Sequence, residues 1–120
     1  MSNNELIAAL NKALAWELRA IAMYAHYAAY VSGIHRLHLA THFNTEVNES
    51  VTHAATVRSA IVKLNGEAIT ERDSTPIVHT SNYQEMLQEA VSYTHLRAHE
   101  TREDRVMRLV HDKKKGGGGG

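Results

Sequence analysis

The 120-residue sequence has no cysteine, which excludes a disulfide scaffold and any Cys-based zinc site. Its one proline is Pro76, and five of its seven glycines form the C-terminal run, so the body of the chain has few of the residues that break helices. No apolar stretch approaches the ~18 residues of a membrane span, because His, Glu and Arg interrupt each one. The N-terminus, MSNNELIAAL, has no basic segment ahead of an apolar core, as a secretory signal would. There is also no excess charge of either sign: 13 basic groups balance 13 acidic ones. Together these features predict one small soluble domain, read as cytoplasmic, with no membrane partner.

The zero net charge conceals two unlike parts. Residues 1–90 carry six Lys/Arg against nine Asp/Glu, whereas residues 91–120 carry seven against four and end in KKKGGGGG. Residues 91–101, VSYTHLRAHET, resemble the translation of a transposon mosaic-end adapter used in sequencing libraries. Asp104, Val106, Arg108, Leu109 and Lys113 continue that pattern in part. On this reading, residues 91–120 are a non-native tail, and the gene is expected to continue differently past Ala90. His95, His99 and His111 then leave the set of candidate ligands. The alternative is a basic C-terminal arm that binds nucleic acid. With the tail set aside, no nucleic-acid partner is expected.

Strong helix formers fill residues 4–65, and only Ser32-Gly33 interrupts them. Taking every third or fourth residue gives a first seam of Ile7, Leu10, Leu14, Glu17, Ile21, Tyr24, Ala28 and Val31. The same spacing gives a second seam of Leu39, Phe43, Glu46, Ser50, His53, Val57, Ala60 and Leu64. Two long helices joined by so short a turn must lie antiparallel, and their apolar stripes require further helices as cover. Gly66 is placed to cap the second helix. About 17 aperiodic residues follow, a length that in bundles carries the chain over to a parallel neighbour. Ser81 or Asn82 then N-caps a third helix, YQEMLQEA, expected to stop after about two turns. The fold class expected is all-α: a four-helix bundle truncated to an antiparallel hairpin, a long crossover and the start of a third helix.

Both seams are polar in the middle. Glu17 lies between Leu14 and Ile21 on the buried stripe, where an unpaired carboxylate costs several kcal/mol. It therefore needs a cation or strong donors. Counted from Gly33, Glu17 stands as far before the turn as Glu49 stands after it. At ~1.5 Å rise per residue the two share one height, with His53 about a turn farther along. Tyr24 and Glu46 flank the same layer. Carboxylates converging with a neutral imidazole in a helical core suit Fe²⁺ or Mn²⁺. Such a hairpin would hold one half of a two-metal site.

Residues 13–37, ALAWELRAIAMYAHYAAYVSGIHRL, and 42–61, HFNTEVNESVTHAATVRSAI, resemble the first helix pair of bacterioferritins within the ferritin-like superfamily. The resemblance covers residues 5–65. It implies Glu17 and His53 as metal ligands and Tyr24 as the tyrosine beside a di-iron centre, with manganese as an alternative metal. It also implies a parent protein that oxidises Fe²⁺ with O₂ or peroxide and stores or detoxifies the product as a homo-oligomer, a dimer or a cage.

Two positions depart from the family pattern. Ser50 stands where a bridging glutamate is expected three residues before the histidine, leaving Glu49 and Glu46 as replacement ligands. Glu49 with His53 can still converge at i, i+4, aided by a π-bulge. Val51 stands where a haem-binding methionine is expected, so haem is not expected.

Simpler readings stay open from the residues alone. Glu17 could pair with Arg58 or Lys63, His53 could be a satisfied core histidine, and Tyr24 could serve packing alone. His26, His35, His38 and His42 could make a second metal site near the turn, or with Tyr27 and Tyr30 an amphipathic surface or subunit contact. The whole could also be a ferritin-like assembly module without iron chemistry.

Overall fold

The computed structural model describes residues 2–101; Met1 and residues 102–120, including His111 and the Lys and Gly runs, lie outside them. The described residues form three helices and no strand: α1, Asn3–Tyr30; α2, Arg36–Lys63; and α3, Tyr83–Thr101. The Ser2 hydroxyl caps α1 by accepting from the Glu5 N–H at 3.2 Å. Gly33 makes the α1–α2 turn at φ +93°, a conformation that side chains with a Cβ rarely adopt. The two long helices therefore fold back on each other as the expected antiparallel hairpin.

The end of α2 differs from the expected cap. Asn65, rather than Gly66, takes the left-handed conformation, with φ 62°. The Asn65 N–H bonds Val62 O, and the Gly66 N–H bonds Ile61 O at 2.9 Å, the paired bonds of a Schellman motif. Asparagine tolerates this conformation because its short polar side chain bonds locally. Glycine is needed next to it for another reason: a Cβ on Gly66 would stand 2.8 Å from Ile7 Cγ2.

The crossover runs the length of α1 instead of crossing the end of the bundle. Asn11 grips Glu67 O and the Ile69 N–H, and Asp73 N–H bonds Ala15 O. Farther on, Arg19 donates to Thr75 O at 3.0 Å and to Pro76 O at 2.7 Å. The Tyr27 hydroxyl donates to Val78 O, and the Ser32 hydroxyl to Ser81 O. An extended chain advances ~3.3 Å per residue against ~1.5 Å for a helix, so the seven residues 75–81 keep pace with α1 from Arg19 to its end and the turn just beyond it. The strap thus delivers the chain to the turn end of the hairpin, from which α3 runs antiparallel to α1.

Asn82 caps α3: its Oδ1 accepts from the N–H groups of Gln84 and Glu85 at 2.8 and 3.1 Å. The third helix does not stop after two turns but spans 19 residues, to Thr101. No Gly or Pro follows Ala90 within the described residues, so nothing in the local sequence ends it. Met86, Ala90, Tyr93, Arg97 and Thr101 continue a three-and-four spacing along its inner face, with Met86, Tyr93 and Thr101 buried.

The seams predict the α1–α2 contact well. Leu10, Leu14, Glu17 and Tyr24 are buried on α1, Val31 just past its end, and Leu39, Phe43, Ser50, Val57 and Ala60 on α2. A second buried stripe on α1, made by Trp16, Ala20, Met23 and Tyr27, packs with Tyr93 and Met86 of α3. No helix among the described residues is long and apolar enough to cross a membrane.

Candidate metal half-site

Glu17 has no solvent exposure. The periodicity that buries Leu10 and Leu14 carries it into the interior, and the hairpin places His53 opposite it. Glu17 Oε2 lies 3.8 Å from His53 Nδ1, and Oε1 accepts a hydrogen bond from Arg97 Nη1 at 3.3 Å. The structure thus sets Arg97, from the third helix, beside Glu17. Arg58 instead donates to Ile69 O in the crossover. His53 is not a core histidine, for its side chain is 55% exposed. It projects from the edge of the layer, with one ring nitrogen toward the carboxylate.

Tyr24 is buried one layer nearer the turn, 6.0 Å from the ring of Phe43 and edge-on to Tyr93 at 6.2 Å. Its phenol is pushed up to about 12, first by burial and then by the negative charge of Glu46, with Arg97 opposing and Glu17 and Glu49 adding smaller upward pushes. The hydroxyl is therefore held neutral at physiological pH. Glu46 is half-buried and Glu49 is exposed, whereas Ser50 is buried. In α2, which runs as an uninterrupted α-helix with no π-bulge, position 50 faces inward and position 49 outward.

Among the described residues, no three His, Asp or Glu side chains converge closely enough to enclose an ion. The fit to a metal is therefore half a set. A buried carboxylate and an adjoining imidazole suit one side of a divalent ion, and the inward position that would add a third donor carries Ser50.

Arg97 escaped the reading of the sequence because residues 91–101 were set aside. The signal for it was the spacing Met86, Ala90, Tyr93, Arg97, which runs unbroken across that boundary. The histidines near the turn are divided among separate contacts. His26 Nε2 meets His79 Nδ1 of the crossover at 2.8 Å, His35 packs on Tyr83, and His42 on Phe43. His79 could not be placed from sequence, because its position depends on the path of the strap.

Fold and site together define a class: an antiparallel helical bundle with a carboxylate and an imidazole meeting inside the hairpin. The sequence matches the ferritin-like domain family over residues 7–114, and the chain belongs to that family. A solved structure described as ferritin like, diiron-carboxylate proteins from Bacillus anthracis str. Ames is 31% identical, with a TM-score of 0.69, over 96% of this chain and 88% of that one. No curated protein matches the chain.

Proposed function

We propose that this hairpin is one half of a ferroxidase-type site that takes Fe²⁺ as substrate and serves iron storage or detoxification. The observation that carries this reading is Glu17: a carboxylate without solvent exposure, on an otherwise apolar stripe, facing an imidazole from the opposite helix. Such a group costs several kcal/mol unless a cation compensates it. Arg97 meets that need at Oε1 alone, and the diiron-carboxylate description of the 31%-identical structure supports iron as a second cation, at Oε2.

In this reading Glu17 supplies negative charge to the ion and His53 fixes it from the solvent edge, with manganese an alternative occupant. The neutral Tyr24 hydroxyl orders groups beside them. Bound iron supplies the redox chemistry with O₂ or peroxide. The chain's own residues supply charge, orientation and partial shelter from water. The donors absent from the hairpin come from a second copy in a dimer or cage, or from a further helix pair.

Anaerobic Fe²⁺ titration followed by air tests the proposal. Oxidation faster than the buffer background, abolished by Glu17→Ala and by His53→Ala, is the expected result. A second reading, a ferritin-like assembly module without iron oxidation, is favoured by Ser50 at the inward position. Background oxidation unchanged in all three proteins would select it.

A further inference from the structure

Arg97 approaches the half-site from α3. Its guanidinium lies 5.6 Å from the Tyr93 ring centroid and donates from Nη1 to Glu17 Oε1 at 3.3 Å. Tyr93 sets this approach: it is buried, and its hydroxyl donates to the Trp16 carbonyl at 3.2 Å. One turn on, the Lys12–Glu100 ion pair at 3.0 Å holds the same stretch of α3 to α1. The guanidinium is thus delivered by a docked helix rather than by a loose arm, whatever the origin of residues 91–101. His53, on the other side of Glu17, is half open to solvent, so a metal ion could reach Oε2 from that edge. It would meet a carboxylate whose other oxygen is already engaged by a fixed positive charge.

We propose that Arg97 is a built-in competitor for the cation site, neutralising Glu17 and weakening divalent metal binding by the folded chain. This rests on the reading of Glu17 and His53 as metal-binding. Two like charges on one carboxylate repel, and burial reduces the screening between them. A guanidinium cannot lose its proton at accessible pH, so it yields to a metal only by swinging away. Arg97 is 31% exposed on its side chain, and its outer edge has water to swing into. Tyr93, Glu100 and Thr101 keep α3 docked when it does.

The test is Mn²⁺ binding by the full chain, read from the loss of the free-ion electron paramagnetic resonance signal. Arg97→Gln keeps most of the side chain's bulk without its charge, and Arg97→Ala removes both. Each is expected to bind Mn²⁺ tighter than the parent by on the order of tenfold, the scale at which groups bordering metal ligands act. Arg97→Lys should bind no tighter than the parent. Thermal unfolding without metal adds a readout that does not depend on occupancy: Arg97→Gln and Glu17→Gln should be coupled, the double variant losing less than the two singles together. Equal Mn²⁺ affinity in parent and Arg97→Gln, lost in Glu17→Gln, would overturn the competition while leaving the metal reading intact. Absence of binding in every variant would overturn both. Additive melting effects would show that the two side chains do not interact and would likewise overturn the proposal.

Discussion

Glu17 and His53 meet from opposite arms of the hairpin, Oε2 and Nδ1 3.8 Å apart, one with no exposure and the other half in water. This asymmetry gives the pair a buried charge and an open door. The layer it occupies carries a serine at the next inward position, and that serine is the natural place to test whether the geometry supports a metal.

Ser50→Glu is expected to supply a third donor, since Ser50 is buried on the α2 face that His53 borders at i+3. Mn²⁺ affinity should rise by on the order of tenfold. Without metal the same change should lower stability by roughly 1–3 kcal/mol, because it buries a second carboxylate. Titration and thermal melts of one preparation measure both, and unchanged affinity would remove position 50 from the site.

Tyr24 gives the structure a signature at alkaline pH. Its phenol titrates near 12 when folded, against about 10 in an unfolded chain. Between those values the folded state keeps a proton that the unfolded state has lost. The stabilisation is therefore complete below about pH 10 and drains away as pH rises toward 12, by roughly 2–3 kcal/mol in all. Tyr24→Phe should flatten that part of the stability–pH curve. A slope of the same size in the variant would assign it to another group.

Periodicity alone gave the hairpin, because a continuous 3.6-residue pattern broken only at Ser32-Gly33 permits few arrangements. Counting from the tight turn sets Glu17 level with Glu49 and His53 about a turn farther along, whereas in the structure Glu17 meets His53 and Glu49 is exposed. The strap was not legible. Its path is fixed by backbone carbonyls at Thr75, Pro76 and Val78, which leave no trace in residue type. The exchange between Asn65 and Gly66 was hidden for the same reason: both residues suit a left-handed turn, and only the contact with Ile7 decides which position must be glycine. Trp16 and Arg19 were missed because they lie on a second stripe of α1, covered by parts of α3 excluded from the reading.

Arg19 fastens the strap. It is buried, stacked near Trp16 and Tyr93 at 5.7 Å from each ring, and it donates to two crossover carbonyls. Arg19→Met keeps much of the stem but takes the Arg19 donor from Pro76 O and leaves Thr75 O to Arg72 Nη1 at 3.2 Å. A loss of about 2–3 kcal/mol is expected. Hydrogen exchange should quicken first in residues 73–81, and uniform quickening across all three helices would show that Arg19 serves the core instead.

Gly66→Ala should destabilise by roughly 1–3 kcal/mol, because the added methyl meets three atoms of Ile7 at 2.8 to 3.0 Å. Ile7→Ala removes those three atoms. If the clash is the cause, the double variant will lose less stability than the two single changes summed. Strict additivity in chemical denaturation would place the cost in the Schellman turn itself.

The hairpin also bears on assembly. On the face away from α3, Leu18 and Ile21 of α1 and Val51, Ala55 and Val62 of α2 border an open cleft of about 600 Å³. Val51 and Val62, about three turns apart on α2, are 49% and 62% exposed there. If a second copy covers this face, as the proposed homo-oligomer requires, charge at its centre must be excluded from the interface. Val51→Lys with Val62→Lys should then reduce the solution mass to that of the monomer in sedimentation equilibrium. The helical circular dichroism should be preserved, because neither side chain supports the core of the single chain. A parent protein that is itself monomeric at tens of micromolar would remove the second copy as the source of the missing ligands and leave a further helix pair as the route to a complete site.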